Sequence, residues 1–535
     1  MEVGTLWYGG TIYTMESEYD TVEAVFVQDG VISATGNLEE LNERFQSVIT
    51  EKVNLKGATM FPGFVDSHLH IIGHGEKLLR LDLSTKRSAD EIIDSLNKRV
   101  KTTLEGEWLI GEGWNENLLP DQKIFHCTEL DEIAPNNPMM LTRVCRHAMV
   151  VNTKALELAG IDDNTPDPPG GVIVRDDSGK ATGFLLDQAQ ELIKRVIPTV
   201  SKEYLNKTLT ASIDHLHSLG LVGGHTEDLN YYGGFNRTFD TYLDVVGNNS
   251  RKFRANLLVH HEVVEDMHKA GYIVGEVTPF VELGAMKIFA DGALGGRTAL
   301  LSKPYDDAPD TSGVAIHSIN ELEKLVQKAR DYNMPVAIHV IGDLALEYAI
   351  RAIEKYPPKS NQRDRLIHCQ VLRNDLLTRM KKLPLIADIQ PSFVASDFPW
   401  VIDRLGKERV KLSYAWRTLL DEGIICAGGS DAPIEDVNPL LGIYAAVTRK
   451  HPEQNHGNNG YFIDQALTVY EAIQLFTIGS AKAINREKNR GLIKEGYIAD
   501  FTIFEQDLMK TDIEQVLSIE IKMTVVDNSI VYKRE

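Results

Sequence analysis

The ten residues FPGFVDSHLH, 61–70, close on two histidines, His68 and His70. Side chains two apart on a strand share a face, so both imidazoles would point the same way. Two same-facing imidazoles at a strand end offer paired nitrogen ligands to Zn²⁺ or a similar borderline ion. Such a pair taken alone is more often two satisfied core histidines than a metal site. The balance shifts because the pattern recurs. His339 lies near the end of PVAIHV, His368 ends RLIH, and Asp431 follows in CAGGSDAP. Each apolar run thus delivers one metal-competent side chain near its carboxyl end, and buried His and Asp at such places would otherwise each need a partner.

Lys287, inside GAMKIFADG, brings different chemistry. An ammonium in an apolar strand is costly unless it is neutralised or paired. A buried amine gives up its proton readily, which opens it to modification. A salt bridge to Asp291 is the plainer alternative.

Side chains this far apart in sequence meet only if the elements between them bring them together. From residue 64, eight strand-like runs appear: 64–70, 221–225, 255–260, 285–290, 336–340, 366–370, 385–390 and 424–428. From the second onward the spacing leaves room for helices, with 318–332 and 343–355 the clearest and Asn320 and Asp343 as plausible caps. Eight strands with helical crossovers predict an α/β fold, a (β/α)8 TIM barrel, with its site at the carboxyl ends of the strands.

Both chain ends read as β. Runs at 11–15, 24–28 and 31–34 carry Asp29-Gly30 as a hairpin turn, and 500–504 and 523–532 carry Asp527-Asn528. These predict one small β-sandwich built from 1–60 with 486–535, around a metal-binding barrel over 61–485. About 150 residues separate the first and second barrel runs, too many for a structureless loop. Residues 76–195 are therefore expected to form an inserted cap subdomain, leaving the carboxyl end of a strand and lying over the barrel mouth.

The order HxH, Lys, His, His, Asp on eight strands resembles the amidohydrolase superfamily. The wording MKIFADGALGGRTA at 286–299, HVIGD at 339–343 and GSDAPI at 429–434 is similar to its YtcJ-like branch, which includes N-substituted formamide deformylase-like enzymes. GLIKEGYIADFTIF, 491–504, matches that family's return into the sandwich. The resemblance implies that His68 and His70 hold one metal and His339 and His368 a second. It implies a carboxylated Lys287 bridging the two, and Asp431 as both metal contact and general base. Zinc, as one or two ions, is the expected cofactor.

Zn²⁺ lowers the pKa of a bound water to about 7, giving hydroxide at neutral pH. Asp431 would take the proton and pass it to the departing nitrogen. The expected activity is hydrolysis of a C–N bond, other than a peptide bond, in an N-acyl or N-formyl small molecule. Hydrolysis of another carbonyl or phosphoester bond stays open, as does a silent binding or regulatory homologue. Against the last stands the completeness of the six-residue set, because function lives in the site. Trp114, His147 and Arg297 are the expected substrate contacts, with Asn152 beside them in RVCRHAMVVN. Trp114 as plain core and Arg297 paired with a surface acid weigh about equally. His225 is at best a neighbour of the ligands, and His74, His126, His260 and His261 read as structural.

Charge excludes one class of partner. With 56 basic and 77 acidic residues the net charge is -21, which repels phosphate backbones, so no nucleic acid is expected. Four cysteines without a CxxC pair argue against a disulfide framework and for a reducing cytoplasm. No signal peptide and no run near the roughly 18 apolar residues of a membrane span are visible. The expected partner is a small-molecule substrate, without a membrane; a homo-oligomer is compatible with these features.

Overall fold

The computed structural model describes residues 4–116, 119–143, 148–197, 200–248, 250–452 and 460–535. Two compact units emerge, residues 1–74 with 205–535, and residues 75–204.

The larger unit contains a TIM-type barrel. Its eight strands are Phe64–Leu69, Leu221–Thr226, Arg254–His260, Val281–Phe289, Val336–Val340, Asp364–His368, Leu385–Ile389 and Ile425–Gly428. Each pairs in parallel with the next in chain order. These runs are short, rich in Val, Ile, Leu and Ala, and almost wholly buried, as strands covered on both faces must be. Between the first and eighth strands the seam is joined at the carboxyl end. There the Asp431 N–H donates to the His68 carbonyl (2.7 Å) and the His70 N–H to the Ala432 carbonyl (2.8 Å).

Helices supply the crossovers. Ile319–Asp331 is capped by Ser318, whose hydroxyl accepts from the Glu321 N–H while Glu321 reaches back to the Ser318 N–H, a reciprocal capping box. Asn320 is therefore inside the helix rather than its cap. Asp343 is likewise the first residue of Asp343–Lys355 and no cap. Its carboxylate instead accepts from Ser302 and pairs with Arg373.

Both chain ends meet in one eight-stranded sheet. Phe501–Phe504 pairs antiparallel with Thr59–Pro62, which pairs in turn with Gly4–Tyr13. Ile32, from one end of this sheet, and Met523 and Val525, from the other, share one buried cluster with Trp7 and Val25. The sheet thus folds over itself as a sandwich does. Strands Ile49–Asn54 and Thr59–Pro62 belong to it beyond those expected.

The smaller unit has a six-stranded sheet, with Met139–Arg143 and Ala148–Val151 at its centre and Leu109–Trp114 beside them, and two apolar clusters of its own. It runs to Tyr204 rather than residue 195. Ile193 packs in its second cluster, and the Tyr204 hydroxyl donates to Glu76 (3.3 Å). Among the described residues no helix is long and apolar enough to cross a membrane. Cys127, Cys369 and Cys426 are buried free thiols.

Candidate metal centre

Strand alternation sets the first contribution. Asp66, His68 and His70 are two apart and turn to one side, while Leu69 packs away from it. Lys287 lies two residues before the end of the fourth strand, His339 one before the end of the fifth, and His368 ends the sixth. Asp431 follows the eighth. The six side chains converge at the carboxyl ends, where barrel folds place their sites.

The Asp431 carboxylate oxygen Oδ1 lies 3.5 Å from His68 Nε2 and 3.6 Å from His70 Nε2. Lys287 Nζ is 3.4 Å from His68 Nε2. The His339 and His368 rings stand 4.6 Å apart, and the His68 ring is 5.7 Å from that of His368. Donor atoms of His68, His368 and Asp431 all lie within 4.8 Å of one another.

The contacts behind these side chains fix which nitrogens face inward. His70 Nδ1 sits 2.8 Å from the Glu227 carbonyl oxygen, which only accepts, so Nδ1 carries the proton and Nε2 turns toward Asp431. His339 Nε2 donates to the Gly292 carbonyl (3.0 Å), leaving Nδ1 for the site. His368 Nδ1 donates to Gln390 Oε1 (2.6 Å). His68 Nδ1 is buried without a hydrogen-bond partner. Left-handed backbone at His368 (φ 77°) and Asp431 (φ 58°) is rare for side chains of this kind and typical of functional sites.

Burial dominates the electrostatics. It holds the His68 and His339 imidazoles well below their ordinary range and brings His368 down to about 4, so these three stay neutral and keep a lone pair. Burial opposes charge on His70 too, but Asp431 and Glu227 outweigh it and raise this group to about 9. An entering cation would therefore displace a proton there. Desolvation lowers Lys287 to about 8. Asp431 is held below the usual carboxylate range because His70, His368 and Lys287 together outweigh its burial.

Several expected roles change. Asp291 does not pair with Lys287: its carboxylate accepts the Leu300, Ile341 and Gly342 N–H groups and lies 3.6 Å from His339. Trp114 has no exposed surface; it belongs to a core cluster of the inserted unit and donates to the Leu141 carbonyl. It packs there as core. Arg297 is held by Asp307 at 3.1 and 2.8 Å, the surface pairing that was its plainer reading. His147 lies outside the described residues. Asn152 is structural, capping Thr153–Leu158 and bonding Ala134 and Asn137. His126 caps Cys127–Ile133, and His74 contacts His215 at 3.0 Å.

Three residues at the site escaped the sequence reading. Asp66 accepts from the His68 N–H and from the Ser430 N–H and hydroxyl. Its place in the DxHxH alternation was the available signal. Glu227 and Gln390 carried none beyond lying at strand ends.

With this geometry established, similarity to known proteins becomes informative. Residues 51–532 match the model of a family described as the amidohydrolase family. The chain is 53% identical over 99% of both chains to the amidohydrolase-type protein YtcJ of Bacillus subtilis (strain 168). It is 26% identical to the N-substituted formamide deformylase of Arthrobacter pascens, covering 98% of this chain and 97% of that one. Among solved structures, an uncharacterised metal-dependent hydrolase from Pyrococcus furiosus superposes with a TM-score of 0.80 at 27% identity, covering 95% of this chain and 100% of that one.

Proposed function

Because this chain belongs to the amidohydrolase family, we propose that it is a metal-dependent hydrolase that cleaves the C–N bond of an N-acyl or N-formyl small molecule. The observation that carries this reading is the convergence of four imidazoles, one carboxylate and one buried amine at the barrel's carboxyl end.

The donor set fits a zinc-type ion. Neutral imidazole and carboxylate are the ligands such ions prefer. Lys287 is wholly buried over the Phe289 ring, with no carboxylate among the described residues at salt-bridge distance, a condition a bare ammonium does not tolerate well. His68, His70 and Asp431 would hold one ion, and His339 and His368 a second. When bound, such an ion polarises a carbonyl and acidifies water to near neutrality.

The chain's own residues supply the rest. Asp431, ionised among His70, His368 and Lys287, accepts a proton from the attacking water and returns it to the departing nitrogen. His70, tied through Nδ1 to the Glu227 carbonyl, keeps that carboxylate oriented. The Lys287 amine, made less basic by burial, condenses with carbon dioxide: an N–C bond forms, one N–H proton leaves, and an anionic carbamate results. A formyl or acyl group as the electrophile is supported by the name of the deformylase to which the chain is similar.

The test is elemental analysis followed by a screen of N-formyl and N-acyl compounds beside esters, lactones and phosphoesters. Release of amine from an amide, lost on chelation and restored by zinc, is the expected result. Cleavage confined to esters, lactones or phosphoesters overturns the bond assignment.

A further inference from the structure

The second barrel strand, Leu221–Thr226, contributes none of the six side chains discussed above, yet the residue directly after it is a fully buried carboxylate, Glu227. Its backbone is fastened to the HxH strand from both sides. The Glu227 N–H donates to the Leu69 carbonyl (3.3 Å), and its own carbonyl accepts from His70 Nδ1 (2.8 Å). That fastening leaves the side chain little freedom to leave the site.

Among the described residues the Tyr231 hydroxyl approaches the carboxylate as a hydrogen-bonding group, but neither oxygen has a bond of ordinary geometry. Oε2 lies 3.9 Å from His70 Nδ1, and His70, Lys287 and the Tyr231 hydroxyl stand close enough to bias its charge. The neighbouring Asp228 shows the contrast. Its Oδ2 accepts from the Ile72 N–H and from the Thr226 and Tyr242 hydroxyls, a carboxylate used to hold the fold together. Glu227 has no comparable set of donors from the fold around it. A buried anion is retained only where a cation compensates it. Among the described residues the one ion-pair contact of Glu227 is that long approach of His70, whose Nδ1 proton goes to the Glu227 carbonyl instead, and Lys287 lies beyond salt-bridge distance.

We infer that Glu227 is a seventh residue of the metal centre, its carboxylate compensating the positive charge of the ion held by His68, His70 and Asp431. This rests on the metal-centre part of the function proposed above, not on the bond cleaved. Carboxylates that stand behind metal-binding histidines typically contribute on the order of 10–100-fold in metal affinity.

The experiment measures zinc affinity by chelator competition, and zinc stoichiometry, for the full chain and for Glu227→Gln and Glu227→Asp. Glu227→Gln keeps size and shape but removes the charge. It is expected to bind zinc about 10–100-fold more weakly while its metal-free melting temperature holds or rises. Glu227→Asp should recover part of the affinity. Wild-type affinity in Glu227→Gln overturns the inference. So does a fall in metal-free melting temperature in both variants with unchanged zinc affinity, which would make Glu227 purely structural. A wild-type chain that binds zinc yet hydrolyses no amide overturns only the proposed reaction; one that binds no zinc overturns both.

Discussion

At the scale of single residues, Asp431 separates chemistry from metal holding. Three of the four imidazoles, His70, His339 and His368, have their own supports in Glu227, Gly292 and Gln390, so they need not depend on Asp431 for orientation. Asp431→Asn keeps shape and a carbonyl oxygen but removes the proton acceptor. It should fold, keep most of its metal and lose kcat by about 10²–10⁴-fold, with little change in substrate affinity. Lys287→Ala should differ, because the side chain in contact with His68 disappears and metal is lost with activity. Metal content and kcat measured on both variants decide this. Near-normal turnover of fully loaded Asp431→Asn would mean that another group takes the proton. The six residues were legible because imidazole, amine and carboxylate recur at the ends of apolar runs, where each demands an explanation. Trp114 and Arg297 were ambiguous for a physical reason: a tryptophan fills a core as readily as it lines a pocket, and an arginine's partner 10 residues on, Asp307, leaves no mark in sequence spacing. Glu227 was invisible because an acid after a strand usually reads as solvated loop.

At the scale of elements, the eight barrel strands were visible as short apolar runs, while their seam was not. Between Ile425–Gly428 and Phe64–Leu69 the closure depends on Asp66, a residue that reads as one more acid. Its carboxylate gathers the His68 N–H (3.0 Å) and the Ser430 N–H (3.0 Å) and hydroxyl (2.6 Å). It thereby binds the strand carrying His68 to the loop carrying Asp431. Each buried N–H left without an acceptor costs about 1–3 kcal/mol. Asp66→Ala should therefore lower stability in urea by about 2–5 kcal/mol and weaken metal binding, since both sides of the ligand set lose register. A loss below about 1 kcal/mol with unchanged metal affinity would show that the two backbone bonds from Asp431 and His70 suffice. Sequence pattern also failed at polar strands. ITEKVN in Ile49–Asn54 is largely exposed and has no apolar run to betray it, yet it pairs in parallel with the first strand of the chain.

At the scale of the larger unit, joining the two chain ends in one sheet ties the barrel's first turn to residues more than 400 positions away. Only Gly63 separates Thr59–Pro62 of the terminal sheet from the first barrel strand, so sheet and site share one continuous chain. Around that junction the Gly63 N–H donates to the Asp500 carbonyl (2.8 Å) and the Phe64 N–H to the Thr502 hydroxyl (2.9 Å). The third strand is fixed to the same place. Arg254 Nε and Nη2 donate to the two Asp500 oxygens at 2.9 and 3.0 Å, with both side chains buried. Matching β runs at the two ends made a joint module legible, but nothing in sequence announces a buried pair between residues 254 and 500. Removing one partner of a buried pair strands the other charge and costs about 3–5 kcal/mol. Asp500→Ala should show a loss of that size in chemical denaturation, while a double Arg254→Met/Asp500→Leu replacement should recover much of it, since no charge is left stranded. Zinc affinity of the folded fraction should change little in either, because the pair lies at the amino-terminal ends of the strands, away from the ligands. A single-variant loss under about 1 kcal/mol would mean that Arg254 finds enough compensation in Asp527 and the Pro279 carbonyl.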